Sequence, residues 1–124
     1  MKKSGKNIHT DTLCAVDYAF QRIGGKHKGP VIYQLRDGIK RYGELRRLVT
    51  GITPKMLTQV LRELEEDKLL TRHVYLEVPP RVEYQLTDTG RELLPFITLL
   101  SEWGRKQMGR EPLCEPVVME LVAE

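Results

Sequence analysis

Cysteine is almost missing from this chain. Its 124 residues include two, Cys14 and Cys114, a hundred positions apart. That is no disulfide framework, and neither has a neighbour at the short spacing of a structural zinc site. The three histidines, His9, His27 and His73, are equally scattered. No metal is therefore expected. Long apolar runs are also lacking. None approaches the ~18–20 residues of a membrane span, and the basic start MKKSGKNIHTDT leads into no apolar signal core. The expectation is a cytoplasmic protein with no membrane partner. There is no phosphate-binding glycine loop and no nucleophile elbow. Acidic pairs such as Glu65-Glu66 are adjacent on a helix and diverge, unlike a general acid/base couple. An enzyme is improbable on these grounds, and no cofactor is implied.

What is present is one domain. Charged residues are 30% and hydrophobic ones 40% of the chain, the balance of a globular protein rather than a disordered or membrane one. Residues 1–110 carry the periodic segments. Residues 111–124, with two prolines and the apolar VVMELV, form a tail that cannot be placed. The net charge of +3 conceals an asymmetry. Residues 1–50 carry 11 Lys/Arg against 4 Asp/Glu, whereas residues 51–124 carry 9 against 13. One basic surface facing a polyanion would produce this, and so would an unevenly charged solvated surface.

The periodicity predicts an α+β, mainly α domain. A first helix begins near Thr10 or Asp11 and stops at Gly24-Gly25, with Val16, Ala19, Phe20 and Ile23 as its core stripe. A second fits GPVIYQLRDG, with Pro30 in the first turn and Gly38 past its end. A third fits YGELRRLVTG and buries Leu45 and Leu48. The fourth starts at the N-cap Thr53 with Pro54 at its first position, and Leu57, Val60, Leu61 and Leu64 form one stripe. The period then changes to two in LTRHVYLEV and RVEYQLT, a β-hairpin turning near Pro79-Pro80. Thr87 caps a long last helix, DTGRELLPFITLLSEWGRKQM, in which Pro95 is a tolerable blemish. Helix, tight turn, helix and hairpin in that order make a winged helix-turn-helix.

The polar side of the fourth helix carries the functional reading. With residues about 100° apart, Lys55, Thr58, Gln59 and Arg62 lie opposite the apolar stripe. An ammonium, a hydroxyl, an amide and a guanidinium can all hydrogen-bond base edges or phosphates. Any surface helix shows some such residues, but the neighbours add weight. Arg36, Lys40, Arg41, Arg46 and Arg47 crowd the segment before the turn. The hairpin offers Arg72 and His73 on its first strand and Arg81 near its tip. Double-stranded DNA is the expected partner.

The stretch GITPKMLTQVLRELEEDKLLTRHVYLEVPPRVEYQLTDTG, with the flanking C…IGGKHKGPVIYQLRDGIKRYGELRRLVTGI, resembles the HxlR-type winged helix-turn-helix transcriptional regulators of bacteria. The similarity runs from about Cys14 to Trp103, and Arg72 to Gly90 is its most specific part. The resemblance implies a homodimer, built through the first helix and a long C-terminal dimerisation helix, on a two-fold related operator. It also implies that a small reactive electrophile or oxidant can act through an N-terminal cysteine, whose position Cys14 occupies. Two residues depart from the family pattern: His27 stands where Trp is common, and Lys68 where Gly is common at a helix end.

Cys14 falls on the side of the first helix away from the apolar stripe, beside Asp17, Tyr18 and Gln21. It is either an accessible sensor or an inert seam residue. Cys114 is either its resolving partner or a spectator. In the favoured reading Lys55, Thr58, Gln59 and Arg62 read bases, Thr53 sits at the helix start, and Arg46, Arg47, Arg72 and Arg81 hold phosphates. The alternative is a winged-helix protein-interaction module that binds no DNA.

Overall fold

A computed structural model describes residues 14–109. The order is α1 (Ala15–Ile23), α2 (Lys28–Gln34), β1 (Lys40–Arg41), α3 (Tyr42–Leu48), α4 (Pro54–Glu66), β2 (Leu70–Tyr75), β3 (Arg81–Leu86), α5 (Asp88–Arg91) and α6 (Leu94–Met108). The winged helix-turn-helix is the observed architecture. The tail 111–124, with Cys114, lies outside the described residues, as do Thr10 and Asp11, but the first helix starts at Ala15 with Cys14 as its N-cap and not from a cap at either of them.

The core gathers one apolar face from each central element. Val31, Ile32 and Leu35 around α2, Leu45 of α3, Leu57 and Leu64 of α4 and Leu70 of β2 are the largest fully buried side chains. Leu57, Leu61 and Leu64 bury the predicted stripe of α4, and Val60 packs at its edge. That burial, at roughly 1.5–3 kcal/mol per side chain, fixes which face of α4 is left outside.

Both ends of α4 are closed locally. Thr53 Oγ1 accepts from the Met56 N–H at 3.1 Å, and Pro54 occupies the first helical position. At the other end Lys68 N donates to Glu65 O at 3.0 Å and Leu69 N to Leu64 O at 2.9 Å. These are the two bonds of a Schellman motif, and Lys68 takes its left-handed residue at φ 62°. The lysine that replaces the customary glycine therefore sits in a conformation costing about 1 kcal/mol.

The sheet has three strands, not two. β1 pairs antiparallel with β3 outside the hairpin, giving the order β1-β3-β2. Two residues are too few to show a period, so no pattern announces this strand. The junction behind the sheet is tight. Thr87 caps α5 through Gly90 N at 3.0 Å and donates its own hydroxyl proton to Lys68 O at 2.8 Å. A Cβ on Gly90 would lie 2.1 Å from Leu69 O, so only glycine fits there.

Four expectations about the helices are corrected. The last helix is split: α5 ends at Arg91 and α6 starts at Leu94, with Pro95 in the first turn of α6. Proline has no N–H to give and its ring crowds the carbonyl four residues back, so the helix restarts around it. In α3, Leu48 is 44% exposed and Val49 is buried in its place. The stripe of α1 is the largest departure. Only Ile23 is buried, while Val16 is 61% and Phe20 50% exposed. Cys14 is not inside the helix but is its N-cap, on extended backbone.

Candidate nucleic-acid interface

The interface begins with what α4 leaves outside. Lys55, Thr58, Gln59 and Arg62 are all exposed on the side away from Leu57, Leu61 and Leu64. Two of them are already oriented. Gln59 Nε2 donates to Glu63 Oε2 at 2.6 Å, and the other Glu63 oxygen meets Lys28 Nζ at 2.9 Å. Thr58 Oγ1 lies 3.1 Å from the hydroxyl of Tyr42, which also donates to Pro54 O at 2.9 Å. Tyr42 opens α3, so this one phenol bonds the first helix of the motif to the second.

Beside α4, β2 brings Arg72 opposite Tyr84. Burial pushes the Tyr84 hydroxyl above its ordinary value, and the hydrogen bond and charge of Arg72 partly oppose that rise. Thr58, Arg62, Glu65, Arg72 and Tyr84 line a hollow of about 330 Å³ between helix and wing. Two guanidinium groups face one carboxylate there, so the hollow is basic.

The phosphate candidates divide into two sets. Arg46 and Arg47, in the last turn of α3, are exposed, as is Arg72. Arg81 is engaged within the wing, ion-paired to Glu77 at 3.2 Å and Glu83 at 3.5 Å and lying 4.0 Å over the Tyr75 ring. Of the residues crowding the turn, Lys40 is held by Asp37 at 2.6 Å, and Arg36 donates to Tyr33 O at 3.0 Å. Lys40 holds the Asp37 carboxyl below its usual range. Tyr42 was missed from sequence: its partner lies sixteen positions away, and no motif or period marks the pair.

Cys14 caps α1, outside the α3–α4 pair and the wing. Its thiol is free and exposed, and its sulfur accepts from Asp17 N at 3.4 Å. Among the described residues no helix is long and apolar enough to cross a membrane. Nor, among them, do three His, Cys, Asp or Glu side chains gather as a metal site would need.

A recognition helix with a polar outer face, a basic preceding helix and a β wing beside it defines a DNA-binding transcriptional regulator. The comparisons agree. The family model described as HxlR-like helix-turn-helix matches residues 22–112, and the chain belongs to that family. The HTH-type transcriptional regulator YdeP of Bacillus subtilis is 50% identical over 111 residues, 88% of this chain and 87% of its own. An HTH-type transcriptional regulator of Methanothermobacter thermautotrophicus is 48% identical over 103 residues, 82% of this chain and 79% of its own. Among solved structures, the redox regulator HypR in its oxidised form is 48% identical at a TM-score of 0.71, covering 75% of this chain and 96% of that one. The reduced form of the transcriptional regulator YodB from B. subtilis is 32% identical at 0.64, covering 85% and 98%.

Proposed function

We propose that this regulator works in the cytoplasm as a homodimer on a two-fold related operator, and that chemistry at Cys14 changes its grip. Lys55, Thr58, Gln59 and Arg62 face base edges, with Thr53 fixing the start of the helix that carries them. Arg46, Arg47 and Arg72 take phosphates directly. Arg81 joins them only by giving up Glu77 or Glu83, so its share is smaller. The observation that carries the DNA reading is the exposed polar face of α4 flanked by these unburied arginines.

The dimer rests on the outer faces of α1 and α6. Val16, Phe20, Leu99, Leu100 and Trp103 are 47–63% exposed, and Phe20 stacks edge-on against Phe96 at 6.4 Å. A continuous apolar surface of this kind marks a protein contact. A two-fold operator read by such a dimer would ask for two α4 helices about one DNA turn apart, roughly 34–36 Å. Cys14 starts α1, so a group added to its sulfur alters the helix that forms the seam. Its exposure, and the redox regulators among the similar structures, support this reading. A cavity of about 470 Å³ between α1, α2 and α6, lined by Phe20, Pro30, Ile97 and Leu100, opens on the same side and would suit a ligand at the seam.

Titration of the protein against its own upstream DNA at two salt concentrations, with and without a thiol-reactive quinone or aldehyde, tests the whole reading. Binding should be steep in salt and released by the electrophile, and Cys14→Ser should keep binding while losing release. Arg62→Ala should lower operator affinity by about 1–3 kcal/mol. Salt-indifferent binding would reject the DNA reading, and release that survives in Cys14→Ser would reject the sensor.

A further inference from the structure

We infer that Tyr42 sets the hydrogen-bond polarity of Thr58, making its hydroxyl an acceptor only, so that Thr58 selects bases presenting an exocyclic amino group in the major groove. The inference rests on the operator-binding reading above and adds a specificity-determining pair to it.

The argument is a count of protons. A tyrosine hydroxyl carries one, and a threonine hydroxyl carries one. Tyr42 OH lies 2.9 Å from Pro54 O, and a carbonyl oxygen can only accept. The Tyr42 proton is therefore spent on Pro54. The same phenolic oxygen lies 3.1 Å from Thr58 Oγ1, where either atom has the geometry to donate. With the tyrosine proton already placed, the proton between them must belong to Thr58. Its donor is turned inward, and only lone pairs remain for anything outside.

Thr58 is exposed and occupies the fifth position of α4, in the half of a recognition helix that reaches base edges. An ordinary threonine is ambivalent, able to donate to guanine or thymine oxygens or to accept from adenine N6 or cytosine N4. A threonine without its donor is not. It pairs with adenine or cytosine and leaves two acceptors opposed on guanine or thymine, at the cost of an unmade hydrogen bond. Because Tyr42 belongs to α3 and bonds the α4 backbone with the same oxygen, the orientation is built in before DNA arrives. Tyr42 is thus a positioning residue that need touch no base.

The test is selection from a randomised duplex library, followed by affinities of the wild type, Thr58→Val, Thr58→Ser and Tyr42→Phe for the selected operator with each base pair at each position. In the wild type one position per half-site should favour adenine or cytosine over guanine or thymine by about fivefold or more. Thr58→Val, which keeps shape and methyl, should abolish that preference, and Thr58→Ser should keep it. Tyr42→Phe frees the proton, so the preference should fall below about twofold at this position alone, with salt dependence unchanged. A Thr58-dependent position favouring guanine or thymine would overturn the inference. So would a preference that survives in Thr58→Val, or one that stands unaltered in Tyr42→Phe. Should Tyr42→Phe fail to fold, the valine and serine variants decide on their own. A wild type that selects no sequence would overturn the operator reading as well, whereas selective binding indifferent to position 58 would overturn this inference alone.

Discussion

Lys68 shows how one side chain can be the wrong one for its backbone and still be kept. Its φ of 62° belongs to the left-handed region, where a Cβ meets the following carbonyl. Lys68→Gly should stabilise the fold by about 0.5–1 kcal/mol, less than the full steric cost because glycine also frees the unfolded chain. A shift of the denaturation midpoint without a change in slope would measure it. Tyr84 supplies a pH dependence of known sign. Burial raises its hydroxyl above the ordinary value near 10, so the unfolded chain ionises first. The stability it contributes is complete below pH 10 and is lost as pH climbs through the raised value. Denaturant titrations from pH 8 upward should show this fall, and Tyr84→Phe should flatten it. At this scale the sequence was partly legible. Lys68 was identifiable against the family pattern, whereas the proton arrangement at Thr58 depends on a hydroxyl sixteen positions away, and no local pattern encodes that.

Elements were legible where one face meets a core and the other meets water. α4 shows that contrast sharply, whereas β2 buries only Leu70 and leaves residues 71–74 exposed, so its period of two reported a strand and not a buried face. The last helix misled because its apolar spacing runs unbroken through a proline; the missing N–H and the ring then divided it into α5 and α6. The junction between the end of α4 and the start of α5 was equally hidden, since what Thr87 and Gly90 meet there are backbone carbonyls that no side-chain pattern marks. Thr87 reaches Lys68 O and Gly90 lies against Leu69 O, which fastens the base of the wing on both sides. Gly90→Ala should therefore cost about 1–3 kcal/mol, because the backbone carbonyl it meets cannot swing aside as a side chain could. Thermal unfolding would read that loss. A variant of wild-type stability would mean that the junction opens easily.

At the scale of the whole molecule, the first helix carries the main lesson. Val16, Ala19, Phe20 and Ile23 read as a core stripe, and the fold buries only Ile23. A stripe meant for a second copy and a stripe meant for the chain's own interior obey the same period, so sequence alone cannot separate them. The proposed assembly gives a direct check. Trp103→Glu puts a charge in the seam and should shift the protein from dimer to monomer in sedimentation, with operator affinity falling by about 10²-fold or more as the second half-site is lost. Retained dimerisation would move the seam elsewhere.

The phenol of Tyr42 has a further consequence for how such a regulator can change. In the proposed interface Lys55 and Arg62 can be exchanged one at a time, each altering the reading of DNA while the capped helix beneath stays put. Position 58 lacks that freedom. A new residue there leaves the phenol an unanswered partner, and a new residue at 42 changes what threonine says to the groove. In lineages that drift toward new operators these two positions should be inherited as a pair, sixteen residues apart in the chain and one hydrogen bond apart in space.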